Sequence, residues 1–526
     1  MSFMRWWGWG HDGCDEPLPE TSRATLFALL GADDRPPRGV GAAPEPIPAV
    51  PLTPPVRSAC DPHARLLHSM GKSSRDLLHL RMGRVPHAPD AVLFPESAEE
   101  VAEALAWAGR EDVAVIPFGG GTSVVGGVDA RRGERRAAVS LDLRGLARVG
   151  EVDEESGLVE AQCGVLGPDL ERLLNASGWS VGHFPQSFEH STLGGWVATR
   201  SAGQNSTRWG KIEHMVAGLR AVTPGGEWNV PALPARASGP ELRELLVGSE
   251  GQLGVLCDVT LRVHRRPPAM RFSSWFFPCF DSGRDALREM MQAGLRPAVL
   301  RLSDELETRL HLTLSGADQK LGPRLLRAVG AGSRLDGCHL MAGFEGAGTA
   351  GDRHAHAEQR CAGRIARAGG GLPVGSSPGR HWESERFTHP YLRDRLLDVG
   401  VLAETFETAT TYTRIPALVD AVREALEAPL VMCHLSHAYP DGASLYFTWF
   451  ADAPDPEQAL ELWTRTKRTA GEGLAAHGAA LSHHHAVGHD HRPFMAAEHG
   501  EHGMALLRAA KRELDPAGIL NPEKLL

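Results

Sequence analysis

The segment Pro117-Phe118-Gly119-Gly120-Gly121-Thr122-Ser123-Val124-Val125-Gly126-Gly127 constrains this chain more than any other. A β-rich run, residues 113–118, feeds the backbone into five glycines within nine residues, with Thr122 and Ser123 among them. Glycine lacks Cβ, so such a loop takes positive φ and lets successive N–H groups converge on one anion. The two hydroxyls add donors to phosphate oxygens. A pyrophosphate suits such a loop; a tight surface turn is the alternative. Upstream, Val92-Leu93-Phe94-Pro95 reads as a short strand and Ser97-Ala98-Glu99-Glu100 as a capped helix start. Val101, Leu105 and Ala108 then recur at helical spacing. The loop therefore follows the second strand of a βαβ unit. The common dinucleotide motif G-x-G-x-x-G sits between strand and helix, so a plain Rossmann reading loses ground.

At 526 residues the chain exceeds what one core supports, and two or three domains are expected. A formal charge of −10 with no compact basic block argues against nucleic acid as a partner. No apolar run is long enough to span a bilayer, and no continuous apolar stretch follows Trp6, Trp7 and Trp9 as a signal peptide would require. Eight cysteines, Cys14 among them, are scattered singly with no C-x-x-C pair, so neither a disulfide framework nor a zinc ribbon is expected and a cytoplasmic setting fits.

The three tryptophans read as a packing plug, and residues 35–56, rich in Pro, Gly and Ala, as an extended connector. Strands are expected at 137–142, 157–161 and 216–222, with a helix from Gly167 to Leu174. Small residues at 191–195 and 198–203 would let backbone approach a flat ligand. Past Pro267-Pro268 helices mix with β-type runs. The expected division is 1–88, 89–267, 268–450 and 451–526, the last returning to the second.

Segments 117–127, 182–203, 248–256 and 515–522 together resemble the vanillyl-alcohol-oxidase and cresol-methylhydroxylase class of FAD proteins. That resemblance implies an α+β chain: a PCMH-type FAD-binding domain of two α/β subdomains, and a cap domain with an antiparallel sheet and flanking helices. More narrowly, Arg5-Trp6-Trp7-Gly8-Trp9-Gly10, Gly194-Gly195-Trp196-Val197-Ala198-Thr199-Arg200, Trp209-Gly210-Lys211-Ile212-Glu213, Phe406-Glu407-Thr408 and Leu481-Ser482-His483-His484-His485 resemble the alkyldihydroxyacetonephosphate synthase family. Its members exchange a fatty acyl group for a fatty alcohol in ether-lipid biosynthesis, with no net oxidation. The resemblance implies non-covalent FAD, acyl-dihydroxyacetone phosphate and a long-chain alcohol as partners, a peripheral seat on a membrane, and a homodimer. An FAD-linked dehydrogenase of D-lactate or glycolate type shares the scaffold and the tail Asp515-Pro516-Ala517-Gly518-Ile519-Leu520-Asn521-Pro522, and is the alternative.

Adjacent imidazoles both donate and accept protons near working pH. Three in a row cannot share one strand face, so one of them should point away. Without a cysteine partner or the H-E-x-x-H pattern, no metal is expected there. By resemblance His484 and His485 act at the active site with His183, and Tyr446, on an alternating strand, is the catalytic acid/base. Arg393 carries a guanidinium suited to bidentate anion binding and, with Arg301, would hold substrate. The implied flavin contacts are Pro117, Phe118, Gly119, Gly120, Gly121, Thr122 and Ser123 on the pyrophosphate. Gln186, Ser187, Ser191, Thr192, Thr199, Arg200, Ser201 and Ala202 would run along the cofactor, with Glu250, Gly251, Gln252, Leu253, Gly254, Val255 and Leu256 closing the other side. Three departures from the family pattern stand at Ser201-Ala202-Gly203-Gln204-Asn205, which replaces basic residues of some members, at His434, where animal members carry arginine, and at His489, where a lysine often follows the histidine loop.

Overall fold

The hydrophobic pattern of the first third becomes a mostly parallel sheet. In this computed structural model, which describes residues 4–11, 17–314, 337–426 and 428–526, β1 (Ser58–Ala59), β2 (Ala91–Leu93), β3 (Val113–Phe118) and β4 (Ala137–Asp142) pair in the order β1-β2-β4-β3. Cys14 lies outside the described residues. Both β2 and β3 run parallel to β4, so helix Ala98–Glu111 makes the crossover that the sequence implies. Ser97 Oγ accepts the Glu100 amide at 3.2 Å to start that helix, and Asp112, at φ 53°, ends it. Its Val101, Ala104, Leu105 and Ala108 pack into a core shared with the strands. The free edge of β3 is taken by the C-terminal tail: Val115 donates to the Ile519 carbonyl at 2.8 Å and Asn521 to the Val115 carbonyl at 2.9 Å. Ile519 and Leu520 are fully buried there, each worth about 1.5–3 kcal/mol.

The chain next lays down β5 (Leu158–Gln162), β6 (Trp179–Ser180), β7 (Val216–Thr223), β8 (Gly226–Val230), β9 (Val255–Arg262) and β10 (His264–Arg265). β5, β9, β7 and β8 form an antiparallel sheet in that order, and β6 and β10 a two-stranded ribbon. Helices Gly167–Ala176 and Leu193–Ala198 share a core with this sheet.

Past residue 267 the sheet is antiparallel throughout its described strands. β11 (Arg271–Phe277), β12 (Val299–Ser303), β13 (Cys338–Phe344), β14 (Leu372–Gly375), β15 (Val401–Thr411), β16 (Leu430–Ala438) and β17 (Gly442–Asp452) are ordered β14-β11-β13-β12-β16-β17-β15. Strand alternation divides its two faces. Leu445, Phe447 and Trp449 enter a core with helices Phe280–Gln292, Gly348–Ala368, Ile415–Ala425 and Pro456–Ala476. Tyr446, Thr448 and Phe450 face a cavity instead. The aromatic plug closes on itself through Arg5 N–H to the Gly10 carbonyl at 2.9 Å, and Asp394 accepts both the Trp9 amide at 2.7 Å and the Arg5 guanidinium at 3.2 Å.

Candidate active site

A cavity of about 520 Å³ separates the glycine loop from the polar face of the seven-stranded sheet, and residues 117–124 form one wall of it. Ser123 Oγ folds the loop by accepting the Gly127 amide at 2.8 Å. Gly121 sits at φ 68°, and a Cβ on Gly120 would lie 1.8 Å from the His190 carbonyl oxygen, so neither position admits a side chain. Among the described residues no acceptor meets the amides of residues 119–122. Orphaned donors in a concave loop are what a phosphate chain satisfies, and the residues present fit the pyrophosphate of FAD. Gln186, Ser187, Ser191, Thr192, Thr199, Ser201, Ala202, Glu250, Gly251, Gly254 and Leu256 line the same cavity.

Five of the residues expected there stand off the wall. Arg200, at φ 50°, turns its guanidinium to Glu244 at 2.7 Å and Glu213 at 3.4 Å. Gln252 donates backwards to the Asn521 and Lys524 carbonyls at 2.7 and 2.6 Å. Leu253 and Val255 belong to the hydrophobic cores on either side of β9's start. His183 is fully buried one layer back, its Nε2 2.7 Å from Ser201 Oγ and its ring 4.9 Å from Trp196. Burial, with Lys211 nearby, pushes its pKa down to about 3, so it is a neutral support for Ser201 and does not reach the cavity.

Sheet register assembles the opposite wall. Glu407 on β15, Tyr446 on β17 and His434 on β16 are directly paired across three neighbouring strands. The Tyr446 ring lies between His434 (centroids 4.9 Å, 15°) and His484 (5.9 Å, 19°), with His485 edge-on at 5.5 Å. Its hydroxyl donates to Thr405 Oγ1 at 3.2 Å. Burial raises the phenol's pKa, so it remains a proton donor at neutral pH.

Glu407 is the residue whose role the sequence left unassigned. Its carboxylate accepts from Ser482 Oγ at 2.6 Å and from three successive amides, His483 at 2.5 Å, His484 at 3.1 Å and His485 at 2.7 Å. Wrapping three amides around one anion folds the histidine backbone onto Glu407, and the Nδ1 atoms of His484 and His485 stay near the same carboxylate, at 3.5 and 3.8 Å. Burial works against ionisation, yet positive charge on the surrounding imidazoles whenever they are protonated, together with the Ser482 hydroxyl, holds Glu407 well below the usual carboxylate range. Burial also lowers His484 and His485, against the pull of Glu407, and leaves both as neutral proton acceptors. The histidine loop is stitched to the flavin side as well: Glu250 accepts the Val487 and Gly488 amides at 2.8 and 2.7 Å, and the Val125 carbonyl accepts that of His489 at 2.9 Å. Burial pushes Glu250 up to about 7 despite those two amides.

Arg301 donates to Glu307 at 2.9 Å, and Glu307 also lies 3.0 Å from His434 Nδ1. Arg301, Glu307, His311, His389 and His434 make one polar end of the cavity. Arg393 reaches the cavity, but both arms of its fork are engaged, Nη1 with the Lys72 carbonyl at 2.8 Å and Nη2 with Glu404 at 3.1 Å. The free bidentate clamp expected from sequence is therefore a compensated charge. Leu18, Leu26, Leu310, Leu396, Met432 and Phe450 give the cavity an aliphatic arm, to which helix Glu20–Leu30 contributes.

Known proteins resemble this arrangement over nearly its whole length. Residues 89–230 match the FAD binding domain model, and residues 266–525 the model for FAD linked oxidases, C-terminal domain. Alkyldihydroxyacetonephosphate synthase from Trypanosoma brucei brucei is 35% identical over 482 residues, 89% of this chain and 78% of that one. The chain belongs to the alkyldihydroxyacetonephosphate synthase family. The Dictyostelium discoideum alkyldihydroxyacetonephosphate synthase is 33% identical over 481 residues, covering 89% of this chain and 78% of its own. A solved alkyldihydroxyacetonephosphate synthase superposes with a TM-score of 0.81 at 28% identity, over 99% of this chain and 97% of that one. FAD is accordingly the cofactor, and the glycine loop lies inside the FAD-binding match.

Proposed function

We propose that this chain is an FAD-dependent alkyldihydroxyacetonephosphate synthase: it replaces the acyl group of 1-acyl-dihydroxyacetone phosphate with a long-chain alcohol. The products are 1-alkyl-dihydroxyacetone phosphate and a fatty acid, and no electrons are gained or lost overall. The observation that carries this reading is the meeting, in one cavity, of the phosphate-binding loop, an aliphatic arm and the cluster Tyr446, His484 and His485. A dehydrogenase of small hydroxy acids has no use for that arm.

When bound, FAD supplies the nucleophilic and electrophilic character that such a redox-neutral exchange needs at one carbon. The chain's own groups handle protons and position. Tyr446, neutral and fixed by Thr405, donates a proton from its phenolic oxygen, and the neutral imidazoles of His484 and His485 accept one. Arg301, backed by Glu307, holds the anionic end of the substrate. Arg393 lies near Tyr446 and favours its anionic form. The aliphatic arm seats the hydrocarbon chain and keeps bulk water from the reacting carbon.

The lipid character of both substrates supports a peripheral seat on a membrane's cytoplasmic side, and among the described residues no helix is long and apolar enough to cross one. Homodimerisation rests on the family resemblance. The assay that tests the activity mixes purified yellow protein with palmitoyl-dihydroxyacetone phosphate and hexadecanol. Palmitate release without oxygen uptake or dye reduction is the expected result. Flavin reduction by D-lactate, without acyl exchange, would replace this reading with the dehydrogenase.

A further inference from the structure

We propose that His437, His483 and His484 form a binding site for a divalent cation of the zinc class, and that filling it shuts the active site. Nothing local points to this grouping, because His437 lies on β16, well before the triplet in the chain. In the fold the three rings form a nearly equilateral triangle, with centroid separations of 5.1 Å (His437–His483), 5.1 Å (His437–His484) and 5.3 Å (His483–His484). A zinc ion held tetrahedrally by three imidazole nitrogens at about 2.0–2.1 Å sets those centroids about 5 Å apart and the ligating nitrogens about 3.3 Å apart. One ring nitrogen from each histidine already lies within 4.8 Å of the others. His483 Nδ1 and His484 Nδ1 are 3.1 Å apart.

The outer nitrogens are held as those of metal ligands usually are. Ser206 Oγ is 2.5 Å from His437 Nδ1, which leaves Nε2 of that ring to face inward. The Tyr439 hydroxyl is 2.7 Å from His483 Nε2, which leaves Nδ1 to do the same. Two facing Nδ1 atoms at hydrogen-bond distance need one proton between them, and a cation takes that proton's place. His437 and His484 line the cavity, so the fourth coordination position opens onto it and water completes the tetrahedron. Glu407, Oε2 3.5 Å from His484 Nδ1, supplies negative charge beneath the site. The nearest cation, Lys211, is tied to Glu213 at 3.4 Å and to the His483 carbonyl at 2.7 Å. A second grouping, Glu407 with His484 and His485, is geometrically possible. There the carboxylate is already saturated by four donors, so the three-imidazole set is the one available. Imidazole donors without carboxylate ligands favour zinc, cobalt, nickel and copper over magnesium and calcium.

Metal binding stands on this geometry, and the shutting of the site rests on the exchange activity proposed above. FAD-loaded protein, dialysed against chelator, is titrated with zinc chloride by equilibrium dialysis and with cobalt chloride by absorbance. The expected result is one zinc per chain that magnesium at about a thousandfold excess does not displace. Cobalt should give the visible bands of tetrahedral coordination, to the red of the flavin. His437→Gln and His483→Gln should each lose that zinc while retaining FAD, and Ser206→Ala should weaken binding at least about tenfold. Wild-type protein binding no more zinc than FAD-loaded His437→Gln would overturn the site. Exchange should fall along the same zinc titration and return with EDTA; full exchange at saturating zinc would overturn the inhibition. A protein with no exchange at all would sink the proposed function and leave the zinc titration still readable.

Discussion

Tyr446 shows how much one position depends on three strands. Its partners across the ladder are Glu407 and His434, and its ring faces His484 from a loop some forty residues further along. Tyr446→Phe removes the proton donor without disturbing the stack. FAD content should stay at wild-type level while exchange, measured as palmitate release, falls by at least about 100-fold. Glu407→Gln has a different signature, because the change lies beneath the loop. The amide offers one acceptor where the carboxylate offers two, so donors among the Ser482 hydroxyl and the amides of His483, His484 and His485 lose charge-assisted bonds. The expected cost is about 1.5–3 kcal/mol of stability, read by chemical denaturation, with a drop in kcat at nearly unchanged FAD affinity. Tyr446 stood out in the sequence as one of four tyrosines and the histidines as a run of three, while their roles came from the family resemblance. Glu407 was visible only as part of a motif, since nothing local says that one acid on a strand receives three amides from residue 483 onward. Arg393 and His183 show the same limit: Glu404 and Ser201, with which their polar groups pair, are distant or unremarkable in the sequence.

At the level of elements, the βαβ unit and the glycine loop could be read directly, because capping residues, periodicity and glycine spacing are local signals. Gly120→Ala tests the loop. A methyl group 1.8 Å from the His190 carbonyl forces the strand–loop junction apart, and the variant should purify colourless and stay so after incubation with FAD. Helix Glu20–Leu30 carried no such signal, standing between an aromatic plug and a proline-rich connector, yet Leu26 from it lines the aliphatic arm. Leu26→Trp fills part of that arm. In competition between dodecanol and hexadecanol it should shift preference toward the shorter alcohol by several-fold; an unchanged ratio would place the hydrocarbon elsewhere.

The whole molecule carries an unusual load of buried imidazole. Burial holds His264, His339, His434 and His491 at about 4 and His183 at about 3. Their folded pKa values lie below the unfolded value near 6.5, so as pH falls the unfolded chain takes up protons first. Stability from these groups is present above about 6.5 and is lost as pH descends toward about 4, each costing up to about 1.4 kcal/mol per pH unit. Glu250, at about 7, and Asp304 and Asp490, at about 6, bind protons in the folded state and oppose this with fewer groups. Thermal midpoints should therefore fall from pH 7 to pH 5, and a flat or rising profile would contradict the burial of the histidines.

The tail also dictates an order of events. Residues 519–521 occupy the free edge of β3, and the Leu525 amide donates to the Gly488 carbonyl at 3.1 Å, beside the histidines. During synthesis on a ribosome the pigment-binding half can be complete while its strand edge is still bare and the proton-handling loop still unpinned. Catalytic competence thus waits for this segment to dock, and cleavage near residue 515 that releases it is expected to leave a coloured but idle protein, read by flavin absorbance and palmitate release.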